Sequence, residues 1–367
     1  MKRNINSKKN VIKIGTNVIT NEEGALNLNL MRKLIAQIAK IRDKGKDILI
    51  ITSGAIGAGM QELHLKARPR DVIARQVCAA IGQSILMTSY QSLFNKHNIK
   101  VAQILLTYND FSNRKTYLNL RNSLNNLLKL GVVPIINEND PISINEIGPS
   151  FGDNDMLSSM VASEIEADLL IILTNVEGLF DRNPKDRKAK LLREVFEIDK
   201  NIEKISGKAS HLGLGGMQTK VKAAKMAMQS GAYVIIANGK ANNVLLNIID
   251  NKEVGTIFYP KQKLSNKKRW IMQSKSNGKI CIDKGAKESL LNGKNLLPAG
   301  VTNVEGQFNL GDIVDIICEG NLFARCICDY SSIDLDKVKG KNSKDILKIF
   351  GNSFHKNIFK RENLVFV

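Results

Sequence analysis

Short apolar runs recur along the first two thirds of the chain: VIKIG (11–15), DILIIT (47–52), VAQILLT (101–107), VVPIIN (132–137), DLLIILT (168–174) and YVIIANG (233–239). Segments with helical spacing separate them. Leu30, Leu34, Ile38 and Ile41 fall on one helical face, and Gly45 stops that helix. Further helices are expected over about 69–97, beginning near Pro69, over 114–130 up to Gly131, from 153–155 onward, and over about 216–229. Strands that are apolar throughout, alternating with helices, predict an α/β fold with a mainly parallel sheet covered on both faces.

In such a sheet ligands bind beyond the carboxyl ends of the strands. Polar residues cluster at those ends here: Gly15 and Thr16, the TSGA of 52–55, the NEND of 137–140, and Thr174 with Asn175. Four strand ends of this kind exceed what ordinary turns need and point to one shared crevice. The pattern changes after about residue 264. LSNKKRWIMQSKSNG (264–278) is polar and basic, and short glycine-punctuated strands follow, as in a small β-rich barrel. The expected boundaries are 1–264 for the α/β domain, 265–278 for a linker, 279–353 for the β domain and 354–367 for a tail.

Composition changes this picture little. The chain has 367 residues, is 43% hydrophobic and 24% charged, and carries five scattered cysteines, which is not a disulfide framework. No apolar run approaches the ~20 residues of a membrane helix, so a cytoplasmic protein without membrane contact is expected. The net charge of +19 is spread along the chain and favours anionic ligands.

The candidate chemistry lies in three places. HLGLGGMQTKVK (211–222) resembles a phosphate loop yet fits neither common pattern: no glycine immediately precedes Lys220, and Gln218 breaks the dinucleotide fingerprint. Its glycines and the helix that follows can still present backbone N–H groups to phosphate oxygens, with Lys220 adding charge. Lys13 stands inside the first apolar strand, where burial requires an anionic partner, unless that strand is an edge and the lysine snorkels out. Asp153, Asn154 and Asp155 open a helix, although one cap needs one such residue. With Asp140, these carboxylates can orient lysines, bind an ammonium group or hold Mg²⁺ through phosphate and water.

Taken together and in order, VIKIGTNVIT, IITSGAIGAGM, AAIGQS, VVPIINEND, FGDND, LTNVEGLF and GGMQTK resemble the amino acid kinase family, and DKGAKESLL, LLPAGV and GQFNLGDIVDI resemble a PUA domain. The resemblance implies a three-layer αβα sandwich plus a small β-barrel-like PUA domain. It implies ATP- and Mg²⁺-dependent phosphorylation of the side-chain carboxylate of L-glutamate, the first step of proline synthesis. Kinases of acetylglutamate, aspartate, UMP and carbamate are the alternatives within the family. Lys13 and Lys220 would contact ATP phosphates, and Asp155 would hold the two lysines. Ser53, Asp140, Asp153 and Asn154 would bind glutamate. Gly15, Thr174, Asn175 and the segment Leu214, Gly215, Gly216, Met217, Gln218, Thr219 and Lys220 would form the nucleotide site. A homo-oligomer (dimer or tetramer) and feedback inhibition by proline are also implied.

Three residues depart from the family pattern: Asn175 stands where Asp is frequent, Leu214 where a small hydroxyl residue is usual, and Phe151 where a smaller residue is usual. A second class of function is RNA binding, since PUA-like domains are often RNA modules. Against it, aromatic residues make up only 5% of the chain, few for stacking exposed bases.

Overall fold

The structure, a computed structural model, describes residues 3–21, 24–143, 154–207, 216–260, 264–342, 345–346 and 357–367. The chain divides into two compact units, one of residues 1–110 and 114–263, the other of 111–113 and 264–367.

In the first unit the apolar runs become β1 (Lys9–Ile14), β2 (Asp47–Ile51), β3 (Val101–Leu106), β4 (Val133–Glu138), β5 (Leu169–Thr174) and β7 (Tyr233–Asn238), joined by the short β6 (Glu194–Val195) and β8 (Thr256–Phe258). Among the described residues they form one sheet in the order β3-β4-β2-β1-β5-β7-β8-β6. Neighbours are parallel except β7 and β8. Side chains alternate between the two faces of each strand. Ile12, Ile14, Ile48, Ile50, Ile135 and Ile171 share a core with residues of the helices Leu28–Asp43 and Val244–Ile249. The other face, with Lys13 on it, is covered by the helix Asn154–Glu164, which packs on β1, β2 and β5. Helices on both faces make this the three-layer αβα sandwich.

The chain runs from β1 outward to β2, then returns from β4 to place β5 on the other side of β1. The crevice beyond β1 and β5 is therefore a topological switch point, where ligands bind in open α/β sheets. β1 is an interior strand, with Lys13 paired in register to Ile51 on one side and Ile172 on the other. The edge-strand explanation of Lys13 does not hold.

Three glycines shape the crevice. Gly15 turns the chain off β1 with its N–H donating to Leu173 O at 3.1 Å, and a Cβ there would lie 3.0 Å from that oxygen. The helices Ala55–Glu62 and Val72–Asn95 cross at glycines: a Cβ on Gly59 would meet Cys78 O at 1.8 Å, and one on Gly82 would meet Ala55 O at 1.8 Å. The long helix also packs against residues 140–142, just beyond the end of β4. The helix expected from Pro69 begins at Val72, because Asp71 caps it by accepting from Ala74 N.

The second unit holds the strands β9 (Gly278–Ile282), β10 (Val301–Gly306), β11 (Ile313–Cys318), β12 (Asn321–Ile327) and β13 (Leu364–Phe366), ordered β10-β9-β11-β12-β13. Ile280, Val314, Ile316, Ala324, Cys326 and Leu335 form its core. Two sequence expectations are corrected here. The stretch 265–278 contains the helix Asn266–Gln273, capped by Ser265, which buries Arg269, Trp270 and Ile271; its polar letters conceal an inward face, and Trp270 Nε1 donates to Phe111 O at 3.2 Å. The end of the expected tail pairs with β12, because Leu364 and Val365 are apolar and buried. No helix among the described residues is long and apolar enough to cross a membrane.

Candidate active site

The centre of the site is Asp155, in the first turn of the helix Asn154–Glu164 and fully buried. One carboxylate oxygen meets Lys13 Nζ at 2.5 Å; the other accepts from Lys220 Nζ at 2.9 Å and Thr219 Oγ1 at 3.0 Å. Lys13 and Lys220 are 3% and 5% exposed. Asp155 thus gathers two buried ammonium groups in a place shielded from water, a setting that suits phosphate oxygens. The carboxylate carries the lysines rather than reacting. Thr219 Oγ1 shares its one proton between Asp155 and Gly216 O, 2.8 Å away, which ties the start of the helix Met217–Gln229 to the same hub.

Gly216 caps that helix in extended conformation, and Met217, Gln218, Thr219 and Lys220 form its first turn. The N–H groups of a helix start and its positive end suit phosphate oxygens. At the end of β5, Thr174 is buried, its Oγ1 donating to Asn175 Oδ1 at 3.4 Å, and its carbonyl accepts from Gly239 N at 2.8 Å. Lys13, Gly15, Thr174 and Asn175 therefore lie at strand ends, and Gly216 to Lys220 at a helix start. Asp153, Leu214 and Gly215 lie outside the described residues, as does Phe151.

Beside this centre is a cavity of about 580 Å³, lined among others by Ser53, Gly54, Asn137, Glu138, Asp140 and Asn154. Gly54, in left-handed conformation (φ +99°), turns β2 into the helix Ala55–Glu62. Asn154 Nδ2 spans the floor, its two N–H groups shared among Thr52 O at 2.6 Å, Asn137 Oδ1 at 2.9 Å and Ser53 Oγ at 3.0 Å. Asn137 is held in turn, its Nδ2 donating to Gln83 Oε1 at 2.9 Å and its Oδ1 accepting from Glu138 N at 3.0 Å. Asn154 therefore links the cavity to the hub through the next residue, Asp155.

Two carboxyl groups on the wall are raised. Burial pushes Glu138 up to about 7, opposed by the Ser143 hydroxyl that donates to it at 2.6 Å and reinforced by the charge of Asp140. Burial pushes Asp140 up to about 6, opposed by Arg68 and Arg75. A desolvated carboxylate pair stands ready to be neutralised by a cation. Sequence reasoning named Ser53, Asp140 and Asn154 here but not Glu138, Asn137, Gln83, Arg68 or Arg75. Glu138 and Asn137 sit in the NEND cluster and were within its reach; the arginines look like any exposed helix-end residues.

Comparison with known proteins shows the family. Residues 8–238 match the model of the amino acid kinase family, and residues 278–350 that of the PUA domain. The chain is 47% identical over 366 residues to the glutamate 5-kinase of Methanosarcina barkeri, covering 97% of this chain and 96% of that one. It is 45% identical to the glutamate 5-kinase of Caldanaerobacter subterraneus, covering 97% and 96%. In fold it resembles the carbamate kinase from Giardia lamblia bound to AMP-PNP, with a TM-score of 0.50 at 19% identity over 70% of this chain and 99% of that one. The chain belongs to the amino acid kinase family. Within that family, the full-length relatives it matches at 45–47% identity are glutamate 5-kinases.

Proposed function

We propose that the protein transfers the γ-phosphoryl group of ATP to the side-chain carboxylate of L-glutamate, forming L-glutamyl 5-phosphate and ADP, the first step of proline biosynthesis. The observation that carries this reading is the Lys13–Asp155–Lys220 hub beside a cavity with a desolvated carboxylate wall, in a chain 47% identical to a glutamate 5-kinase over almost its whole length.

The chemistry asks little of the protein. A glutamate carboxylate is already ionised and nucleophilic at neutral pH, so no general base is needed. A carboxylate oxygen attacks the γ-phosphorus as the bond to the bridging oxygen of ADP breaks, and negative charge spreads over the phosphoryl oxygens. Lys13 and Lys220 approach that charge from two sides, held in place by Asp155, and the first turn of the helix Met217–Gln229 adds N–H donors. Ser53, Asp140 and Asn154 position the glutamate. Two buried ammonium groups fit phosphate oxygens rather than a bare cation, and both Asp155 oxygens are already engaged. Mg²⁺ would be carried on the ATP phosphates, where it neutralises charge, and would not sit in a cage of side chains.

The same reading includes a homo-oligomer, a dimer or tetramer, and inhibition by proline; light scattering and a proline titration of the rate test these. The function is tested by ADP release with ATP and Mg²⁺ against glutamate, acetylglutamate, aspartate, carbamate and UMP. A strong preference for L-glutamate is expected, and preference for any other acceptor overturns the assignment.

A further inference from the structure

The wall of the cavity facing Asp140 is basic. Lys66, Arg68 and Arg75 line it together with Gln76. Arg68 and Arg75 are close enough to oppose the rise of the Asp140 carboxyl, yet among the described residues neither guanidinium forms an ion pair or side-chain hydrogen bond. Arg75 is half-buried and lies in the first turn of the helix Val72–Asn95. A cation there opposes the helix dipole, which favours anions at that end, so helix stability does not account for it. Its position is fixed from both sides. Asp71 caps the helix, and the neighbouring Gln76 Nε2 donates to Ser143 O at 3.3 Å, the residue whose hydroxyl donates to Glu138. Arg75 thus lines the same cavity as the half-buried Asp140, and among the described residues neither has an ion-pair partner.

We propose that Arg75, backed by Arg68, binds the α-carboxylate of the substrate while Asp140 takes its α-ammonium, so that the site selects a free α-amino acid end. This rests on the glutamate reading of the same site. The reasoning is one of charge and place. Asn154 lines the cavity and Asp155, next in the chain, holds the reacting lysines. The side-chain carboxylate of glutamate therefore points toward the hub, and its α-carbon toward β4 and the long helix. That end carries one positive and one negative charge, and the wall offers groups of both signs. The guanidinium fork matches a carboxylate in bidentate fashion, which a lysine does not reproduce. Acceptors with a blocked amine or no α-carboxylate leave one of these charges unpaired and are rejected for that reason.

The test uses the full-length protein and Arg75→Ala, Arg75→Lys and Arg68→Ala, with thermal melts to establish that each is folded. The KM for L-glutamate and calorimetric binding of glutarate and 4-aminobutyrate are read. Glutarate retains both carboxylates, whereas 4-aminobutyrate retains only the one that corresponds to the reacting group. Arg75→Ala is expected to raise the glutamate KM about 10- to 100-fold, the effect of deleting a charged hydrogen-bond partner, with kcat little changed. It is expected to weaken glutarate by a similar factor and to leave 4-aminobutyrate almost unaffected. Arg75→Lys recovers part of the loss, and Arg68→Ala costs less because that residue is exposed. Equal weakening of both analogues, or a glutamate KM within threefold of the starting protein, overturns the proposal. A protein that transfers no phosphate to glutamate, yet loses glutarate binding on Arg75→Ala, would overturn the glutamate kinase reading and leave the carboxylate site standing.

Discussion

Replacing Asp155 with asparagine keeps the volume of the side chain and removes its charge. Two ammonium groups, 3% and 5% exposed, now lean on that carboxylate at 2.5 and 2.9 Å. Asparagine offers one acceptor oxygen and turns an amide N–H₂ toward one of the lysines. Breaking a buried ion pair by removing one partner costs about 3–5 kcal/mol. At ~2–4 °C per kcal/mol for a domain of this size, the melting temperature of the ligand-free protein should fall by roughly 6–20 °C. Catalysis should fall as well, because the lysines lose the anchor that aims them at the transferring phosphoryl group. Loss of one preorganised electrostatic contact costs about 10²–10³ in kcat. Asp155 acts here through the lysines, so the deficit has a signature: MgATP, whose phosphates supply the missing negative charge, should raise the melting temperature of Asp155→Asn more than that of the unsubstituted protein. Differential scanning fluorimetry with and without MgATP, alongside a coupled ADP-release assay, reads all three quantities. A variant with kcat within threefold of the original and an unchanged melting temperature would refute the hub.

Other perturbations follow from the same geometry. Asp140 rises to about 6 and Glu138 to about 7, so the folded protein holds more protons than the unfolded chain between about pH 4 and 7. These groups therefore make stability fall as pH rises through that window, while affinity for the cationic α-ammonium of glutamate grows as they ionise. The glutamate KM should drop between pH 5.5 and 7.5, and Asp140→Asn should raise KM and flatten its pH profile; a KM insensitive to pH in the original protein would count against the role of this wall. Gly82→Ala places a Cβ 1.8 Å from Ala55 O and should destabilise by about 1–3 kcal/mol through overpacking, measured by urea denaturation; an unchanged midpoint would show that the helix crossing is not tight. Arg3→Ala removes a buried guanidinium that donates to the carbonyls of Gly255 at 3.1 Å and of Lys252 and Arg193 at 3.3 Å. It should cost about 1.5–3 kcal/mol in the same assay, and a loss below 0.5 kcal/mol would contradict that anchoring.

Much of this architecture was legible in the sequence because the strands of a doubly covered parallel sheet must be apolar throughout, and their ends must be polar where ligands enter. Lys13 stood out for the same reason: a lysine among Val and Ile needs an anionic partner. The identity of that partner was not legible from patterning, since Asp155 and Lys220 reach Lys13 only through the switch-point topology; the family resemblance alone implied it. Arg75 left no trace, because an arginine in the first turn of an exposed helix reads as solvated surface until the facing Asp140 is known. The helix Asn266–Gln273 was hidden by its composition, since Arg269 and Trp270 are buried despite their polar surroundings.

The central claim is that the hub and cavity phosphorylate the side-chain carboxylate of glutamate. The product of that reaction is an acyl phosphate, which hydroxylamine converts to a hydroxamate. The most direct test is to incubate the protein with ATP, Mg²⁺, L-glutamate and hydroxylamine, and to compare the glutamyl hydroxamate formed with the ADP released. The two are expected in equal amounts, with neither formed above background by Lys220→Ala. ADP release without hydroxamate, or an undiminished rate in Lys220→Ala, would contradict the account.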